Sequence, residues 1–101
     1  MIKVIMERHC KPGKESALAN LLIDLRAKAM RLPGYISGET LIKIDDPSCY
    51  LTIGTWTRWE VWKAWENSEE RFELTQLIAA LLIEEPRPFA CTPLSEEDLG
   101  I

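Results

Sequence analysis

The sequence of 101 residues lacks the features that anchor a chain in a membrane or attach it to nucleic acid. Its longest uninterrupted apolar run, Leu77 to Ile83, is far shorter than the ~20 residues of a membrane-spanning helix. Charged side chains interrupt the first ten residues, so we expect no signal peptide there. Residues 59–101 carry 3 basic and 10 acidic residues, which excludes a basic patch for a phosphate backbone in that half. We therefore expect a cytoplasmic protein without membrane or nucleic-acid partners.

Cysteine and histidine are scarce as well. Cys10, Cys49 and Cys91 are about 40 residues apart and form no C-x-x-C pair, a usage typical of reduced thiols that serve as small apolar side chains in a cytosol. One histidine and scattered cysteines do not supply the three or four converging ligands of a metal site. We expect neither a metal ion nor a cofactor.

What the chain does have is the composition of a globular domain. Hydrophobic residues make up 47% and charged residues 28% of the sequence, which is close to the average for globular proteins. A length of 101 residues is the usual size of one domain. We expect a single domain over residues 1–94 and a short acidic C-terminal tail over residues 95–101.

The spacing of apolar residues predicts strands and helices in the order β-α-β-β-α-β. The predicted strands cover residues 2–7, 35–44, 49–56 and 87–92, and the predicted helices cover residues 14–31 and 57–85. The first helix ends at Pro33-Gly34, and the second helical region is broken near Asn67, with capping-box starts at Thr57 and Asn67. Pro88 restricts the last strand to an edge. This order predicts an α+β, ferredoxin-like fold in which the helices cover one face of an antiparallel sheet.

The other face of the predicted sheet is also apolar. Tyr50 and Trp56 lie on one side of their strand, whereas Leu51 and Ile53 lie on the other. Both faces need a cover, and the chain has no third layer to supply it. We therefore predict a homodimer that packs sheet against sheet through this face.

The chain resembles the antibiotic biosynthesis monooxygenase (ABM) family of the dimeric α+β barrel superfamily. The resemblance rests on the order of elements, on the segment MRLPGY at residues 30–35 and on the segment from Thr55 to Ser68, and it extends from Ile2 to about Thr92. It implies a dimer with a small-molecule pocket between sheet and helices in each subunit. Some members are cofactor-free monooxygenases of quinols or polyketide aromatics, and a related branch binds and degrades haem.

The haem-degrading branch uses an asparagine, a tryptophan and a histidine at positions that correspond here to Glu7, Trp65 and Thr75. Only the tryptophan is present, so there is no evident iron ligand on that helix. The wider family often has one histidine where Trp65 stands and another near Glu70, and neither is present. The resemblance therefore favours the fold more than a particular chemistry.

Glu7 and His9 are candidates for acid–base catalysis. They are two residues apart on a strand and project from the same face, where a carboxylate beside an imidazole could form a general base in an apolar cavity. Cys10 points to the opposite face. The alternative is that His9 is exposed at the strand end and that Glu7 pairs with a neighbouring Lys or Arg.

Trp56, Trp59, Trp62 and Trp65 follow one another at a constant spacing of three. Steps of three rotate around a helix, so these indoles cannot share one narrow stripe. The resemblance places Trp65 in the pocket, and we predict that Trp62, Ile5 and Leu22 line it too. The alternative is that all four indoles merely pack.

Three functions stay open at this point. The first is a cofactor-free monooxygenase that oxidises a small aromatic molecule, with Glu7, His9 and Trp65 as catalytic residues. The second is a dimeric binding module that holds a small aromatic compound without turnover. The third is haem binding or degradation, which Glu7 and Thr75 disfavour.

Overall fold

The structure is a computed structural model that describes residues 1–94. The predicted acidic tail, residues 95–101, lies outside the described residues. The elements are β1 (Ile2–His9), α1 (Glu15–Ala29), β2 (Tyr35–Ile42), β3 (Cys49–Trp56), α2 (Trp59–Glu66), α3 (Glu69–Ala79) and β4 (Arg87–Cys91). None of the helices formed by residues 1–94 has both the length and the apolarity to cross a membrane.

The four strands form one antiparallel sheet in the order β2-β3-β1-β4. The strand β4 lies at an edge beside β1, where the missing donor of Pro88 does not interrupt the interior of the sheet. Along the central pair, β1 and β3 align from Ile2 opposite Trp56 to His9 opposite Cys49. The predicted α+β, ferredoxin-like architecture is confirmed.

The start of each later helix differs from the predicted capping boxes. The N-cap of α2 is Arg58, without a side-chain hydrogen bond, so the predicted start at Thr57 is wrong. Asn67 is the C-cap of α2, and the N-cap of α3 is therefore the next residue, Ser68. The Ser68 hydroxyl accepts a hydrogen bond from the Arg71 amide at 3.3 Å, and so satisfies one free donor of the first turn.

The turn after α1 depends on Gly34. Its φ of +98° lies in the left-handed region that glycine adopts readily. A Cβ atom at this position would also lie 2.7 Å from Val61 Cγ1 of α2. The predicted end of the first helix at Pro33-Gly34 is wrong by a few residues, since α1 ends at Ala29 with Met30 as its C-cap. Gly34 serves the turn that follows, and the close approach to α2 is a second reason for glycine there.

The helices cover the face of the sheet that carries the even-numbered residues of β1. Two buried clusters lie there, one around Leu18 and Tyr50 and one around Val4 and Trp56. Their members are Cys10, Leu18, Leu22, Tyr50, Ile78 and Leu82 in the first cluster, and Val4, Ala29, Trp56, Trp62 and Trp65 in the second. We call this side of the sheet the helix face.

The opposite side of the sheet, which we call the open face, has no helix on it among residues 1–94. Ile5 and Ile53 are paired at its centre, with Leu51 beside them. Leu41 and Phe89 lie at the register positions of Leu51 and Ile5, and they are 44% and 53% exposed. The prediction that both faces of the sheet are apolar is confirmed.

Candidate functional site

A cavity lies between the helix face of the sheet and the helices. Strands β1, β2 and β3 form its floor, and residues of the three helices form its walls. The lining residues are Val4, Met6, Arg8, Leu22, Leu25, Arg26, Ala29, Tyr35, Gly38, Glu39, Thr40, Thr52, Gly54, Trp56, Trp62, Trp65 and Arg71. Most of the lining is apolar, as in pockets that bind small organic molecules.

Indole rings form one end of this cavity. Trp62 and Trp65 of α2 are both buried and both line it. The ring of Trp65 lies 6.5 Å from that of Trp56 at an interplanar angle of 32°, and Tyr35 meets Trp56 edge to face at 5.1 Å. These rings present a rigid aromatic surface with geometries that are favourable between π systems.

Trp59 stands apart from the other indoles. It is 45% exposed and does not line the cavity. The ammonium group of Lys63 lies 5.0 Å from its ring and 5.2 Å from that of Trp62, within cation–π distance of both. The expectation that the four indoles cannot share one stripe is confirmed.

Arg8 of β1 brings a charged group to the cavity floor. Its side chain is 3% exposed, and its Nη1 atom donates a hydrogen bond to Thr52 Oγ1 at 3.0 Å. Its Nε atom is buried and has no hydrogen-bond partner among residues 1–94. Burial, assisted by the neighbouring Arg71 cation, lowers the pKa of Arg8 to about 10, so the group stays charged at neutral pH.

Arg71 of α3 brings a second cation to the same cavity. Its Nη1 atom donates to the Glu66 carbonyl oxygen at 3.3 Å, and burial lowers its pKa. Within residues 1–94, no salt bridge joins Arg8 or Arg71 to a carboxylate. Arg71 is partly exposed and has the Glu66 carboxylate nearby, whereas Arg8 is buried. A buried cation without an anionic partner is costly, and an anionic ligand would relieve this cost at Arg8.

The centres of water molecules can occupy about 90 Å³ of the cavity. Since one water needs about 10–15 Å³ of such space and about 30 Å³ in the liquid, the cavity holds about six to nine waters, or about 180–270 Å³ of liquid. That is the space of a molecule with one or two aromatic rings.

The structure divides the predicted site residues between the two faces of the sheet. Trp62, Trp65 and Leu22 line the cavity. Ile5, Glu7 and His9 lie on the open face, because the even-numbered residues of β1 point to the helices and strand residues alternate. The predicted arrangement, in which Glu7 and His9 border one pocket together with Trp65, is therefore wrong. The separate prediction that Ile5 lines this pocket is wrong for the same reason.

Glu7 and His9 form a second constellation with Cys49 on the open face. The Nε2 atom of His9 lies 3.3 Å from Glu7 Oε2, and the Cys49 thiol donates to Glu7 Oε1 at 3.5 Å. These hydrogen bonds, that from His9 first, lower the pKa of Glu7. Burial, followed by the Glu7 carboxylate, raises the pKa of the Cys49 thiol. The alternative prediction that Glu7 pairs with a Lys or Arg is wrong, since its side chain contacts His9 and Cys49 instead.

Our reason for expecting no metal site is also wrong. One of the dispersed cysteines does converge with the single histidine, because Cys49 of β3 lies directly opposite His9 of β1. The ligand atoms of Glu7, His9 and Cys49 all lie within 4.8 Å of one another.

Sequence reasoning missed Arg8 and Arg71. The signal for Arg8 was present: it occupies the same parity of β1 as Val4 and Met6, so it had to share their face. A charged residue in line with apolar ones on a central strand indicates a functional role. No comparable signal exists for Arg71, which stands among charged residues near the start of α3.

The structure places Thr75 on α3, where the haem-degrading branch has a histidine. Its hydroxyl donates to the Phe72 carbonyl oxygen at 2.8 Å. It borders a neighbouring cavity, which shares Met6, Arg8 and Arg71 with the cavity of the indoles.

Known structures share this fold. A crystal structure of an antibiotic biosynthesis monooxygenase matches with a TM-score of 0.85 and 20% identity, over 94% of this chain and 100% of that one. A putative antibiotic biosynthesis monooxygenase from Nitrosomonas europaea matches with a TM-score of 0.84 and 17% identity, over 94% and 100% of the two chains. A mutant of SnoaB, a cofactor-independent oxygenase from Streptomyces nogalater, matches with a TM-score of 0.84 and 14% identity, over 93% of each chain.

Sequence comparison gives the family. A search of curated protein sequences found no match. The family model for antibiotic biosynthesis monooxygenase, however, matches residues 1–73, which is most of the chain and includes β1, α1, β2, β3 and α2. The chain therefore belongs to the antibiotic biosynthesis monooxygenase family.

Proposed function

We propose that this protein is a cofactor-independent monooxygenase that oxidises a small aromatic molecule, of one or two rings, bound as its anion in the cavity. One observation carries the proposal: the cavity combines buried indoles with the guanidinium groups of Arg8 and Arg71, neither of which has a salt bridge to a carboxylate within residues 1–94. SnoaB, which has the same fold, is a cofactor-independent oxygenase.

The two kinds of lining have separate tasks in this proposal. The indoles of Trp62 and Trp65 bind the flat ring by stacking and exclude water from it. The Arg8 guanidinium, with its Nε–H free to donate, binds the oxygen of a phenolate or enolate by a charge-assisted hydrogen bond. A cation in a dry cavity also lowers the pKa of the bound hydroxyl, because it stabilises the charged form.

The anion is the form of the substrate that reacts with oxygen. The phenol loses its O–H proton, and the electron-rich ring transfers one electron to O₂. The two radicals combine to a C–O bond, and the resulting peroxide anion takes up the proton that the phenol lost, which gives a hydroperoxide on carbon. Loss of the C–H proton then forms the carbonyl while the O–O bond breaks, and the departing hydroxide takes up a proton to become water. A naphthol thus yields a naphthoquinone and water with one O₂, and the substrate itself supplies all the electrons.

Oxygen uptake with naphthols and hydroquinones tests this proposal. Arg8→Met should lower kcat/KM by about 100-fold, the effect of removing one group that stabilises a developing oxyanion. Arg87→Met is the matched control, since Arg87 is an exposed arginine at the other face of the same sheet, and it should retain full activity. With ¹⁸O₂ the quinone should carry one labelled atom. Absence of uptake by the wild type, or full activity of Arg8→Met, would refute the proposal.

Trp65 is proposed as the stacking residue. Trp65→Phe removes part of the aromatic surface and should raise KM by about 2–10-fold, the value of one aromatic pair. Trp59→Phe is the control on the same helix, since its ring lies outside the cavity. An equal change in both variants would show that the indole acts through packing of α2 instead.

The predicted roles of Glu7 and His9 in catalysis can be measured in the same assay. A loss of activity in Glu7→Gln would show that the Glu7 carboxylate acts as the base and that the substrate binds on the open face. An unchanged rate would show that the proton leaves by another route, such as solvent at the mouth of the cavity.

One observation favours the alternative of a binding protein without turnover. Within residues 1–94, Glu39 is the one carboxylate residue in the cavity lining, and its register partner Ile53 places it on the open face. The cavity then holds cations but no evident general base from the described part of the chain. Saturable quenching of tryptophan fluorescence by a naphthol, together with no oxygen uptake, would support this alternative.

The predicted homodimer belongs to the same proposal. The apolar centre of the open face around Ile53, with Leu41 and Phe89 half exposed beside it, is suited to a second copy of the chain in a two-fold arrangement. Light scattering should give a dimer for the wild type and a monomer for Ile53→Lys. Ile23→Lys, on the exposed side of α1, should remain dimeric. A monomeric wild type would contradict this part of the proposal.

The cytoplasm is the proposed location. Cys10, Cys49 and Cys91 are all free thiols, and the first two are buried. Reduced cysteines of this kind are usual in a cytosol, which supports the proposal.

A further inference from the structure

We propose that Glu7, His9 and Cys49 form a binding site for one zinc ion on the open face of the sheet. An imidazole, a thiolate and a carboxylate are the three side chains that bind Zn²⁺ in proteins. Here one of each comes together at the end of the central strand pair. The site lies on the other side of the sheet from the aromatic cavity and does not depend on the function proposed for that cavity.

Strand register brings these ligands together. His9 ends β1 and lies directly opposite Cys49, which begins β3. Glu7 is two residues before His9 and therefore shares its face. Two adjacent strands of a sheet hold the three Cβ atoms at fixed positions, so the ligands are arranged before the ion binds. This pre-organisation reduces the entropy that binding has to overcome.

The ligand atoms lie close to the spacing of tetrahedral coordination. With Zn–S of about 2.3 Å and Zn–N and Zn–O of about 2.0 Å, neighbouring ligand atoms of a tetrahedral site lie about 3.3–3.5 Å apart. His9 Nε2 lies 3.3 Å from Glu7 Oε2, and Cys49 Sγ lies 3.5 Å from the other carboxylate oxygen, Oε1. With one atom taken from each residue, the three ligand atoms lie within 4.8 Å of one another, so small side-chain rotations would close them on one ion.

A fourth position is available beside these three ligands. Glu84 Oε1 lies 4.0 Å from His9 Nε2. The Ile83 amide donates to the His9 carbonyl oxygen at 2.8 Å and keeps this segment beside the end of β1. Glu84 is 63% exposed, so either its carboxylate or a water molecule completes the tetrahedron. Cys49 is fully buried, and the ion would approach from the side of Glu7 and Glu84.

The charges at the site also fit a divalent cation. The Glu7 carboxylate and the Cys49 thiolate would bind the ion, the Glu84 and Asp46 carboxylates lie nearby, and Lys43 is a positive charge that acts on Glu7. The surplus of negative groups favours a divalent cation. A thiolate and an imidazole favour zinc over Mg²⁺ or Ca²⁺, which prefer oxygen ligands.

Metal titration of the reduced protein without an affinity tag tests the site. Competition with a chromophoric zinc indicator should give one Zn²⁺ per chain, and Mg²⁺ should not compete. Bound Co²⁺ should give a thiolate-to-metal charge-transfer band in the near ultraviolet. Cys49→Ser should abolish that band, whereas Cys91→Ser, which changes an exposed cysteine on the same face, should leave it intact.

His9→Gln supplies the second variant, because His9 is part-exposed and its replacement leaves the core unchanged. It should weaken zinc binding by more than about 10-fold, the minimum loss expected even for an outer-shell partner of a metal ligand. The site is refuted by a wild type that binds no zinc, by full affinity in His9→Gln, or by a charge-transfer band that Cys91→Ser removes. If the wild type binds no zinc, the contacts among Glu7, His9 and Cys49 are hydrogen bonds alone.

Discussion

Replacement of Arg8 by methionine should make the protein more stable while it removes the binding of anions. Methionine has a similar length and fills irregular space without polar atoms. The variant removes a buried charge that has one hydrogen bond, to Thr52, and no carboxylate partner within residues 1–94. Stability and function should therefore change in opposite directions, as is common at binding sites.

The magnitude follows from the burial of the guanidinium. A pKa of about 10, below the ordinary value for arginine, means that burial destabilises the charged form by about 3 kcal/mol at about 1.4 kcal/mol per pH unit. Loss of the hydrogen bond to Thr52 costs about 1 kcal/mol in return. We expect a net gain of about 2 kcal/mol in the free energy of unfolding of Arg8→Met, within the range known for apolar replacement of buried charges.

The destabilisation by the Arg8 charge depends on pH. The folded pKa of Arg8 is lowered, so the destabilisation is fully present below pH 10. It is lost as the pH rises through the folded value toward the unfolded one. The gain in Arg8→Met should therefore be the same throughout neutral and mildly acidic pH. Any change of this gain with pH in that range would come from other titratable groups.

Urea unfolding at one fixed protein concentration measures the effect. The midpoint should rise with an unchanged m value, and Tm should rise by about 8–16 °C for a chain of this size. Arg87→Met, on the exposed edge strand, should change stability by less than about 0.5 kcal/mol. If Arg8→Met were instead less stable than the wild type by about 1 kcal/mol or more, the guanidinium would be well satisfied in the fold, and the argument for an anionic ligand would fail.

Three further predictions concern the rest of the fold. Gly34→Ala should destabilise the protein by about 1–3 kcal/mol in urea unfolding, because φ is positive and the new Cβ atom meets α2. Gly13→Ala, at positive φ in open space, should cost about 1 kcal/mol. Equal losses in the two variants would contradict a steric clash between residue 34 and α2. Because the pKa of Glu7 is lowered in the folded protein, its carboxylate stabilises the fold above the unfolded pKa, and this stability is lost as the pH falls through the folded pKa. Glu7→Gln should therefore flatten the acidic limb of a plot of stability against pH. An unchanged limb would argue against the hydrogen bonds from His9 and Cys49. Thiol titration of the monomeric Ile53→Lys variant should find one fast thiol, Cys91, and two that react only on unfolding; two fast thiols would show that one of the buried cysteines is accessible.

Much of the fold could be predicted because it depends on local patterns. The break at Pro33-Gly34 and the apolar alternation of the strands gave the element order that the structure has. The helix starts at Thr57 and Asn67 were wrong by one residue each: α2 begins after Arg58, which makes no side-chain cap, and α3 begins after Ser68, which stands next to Asn67 and is an equally good cap by type. Caps are therefore less predictable than elements.

The candidate site was predicted in part. Trp65 was expected in the pocket from the family resemblance and Trp62 was expected beside it, and both line the cavity, whereas Trp59 on the same helix does not. Arg8 was missed because a single charged residue among apolar ones has no spacing pattern of its own. The convergence of Cys49 with His9 was missed for a different reason, since it depends on the register of two strands that are about 40 residues apart in sequence.

The sequence by itself determined which residues of each strand share a face. Alternation along β1 groups Ile5, Glu7 and His9 on one side and Val4 and Arg8 on the other, whatever the rest of the chain does. It could not determine which group the helices would cover, because both sides are apolar near the start of the strand. Tertiary packing decided this by placing the indoles of α2 over Val4. That choice places Arg8 in the cavity and Glu7 and His9 beside Cys49 on the open face.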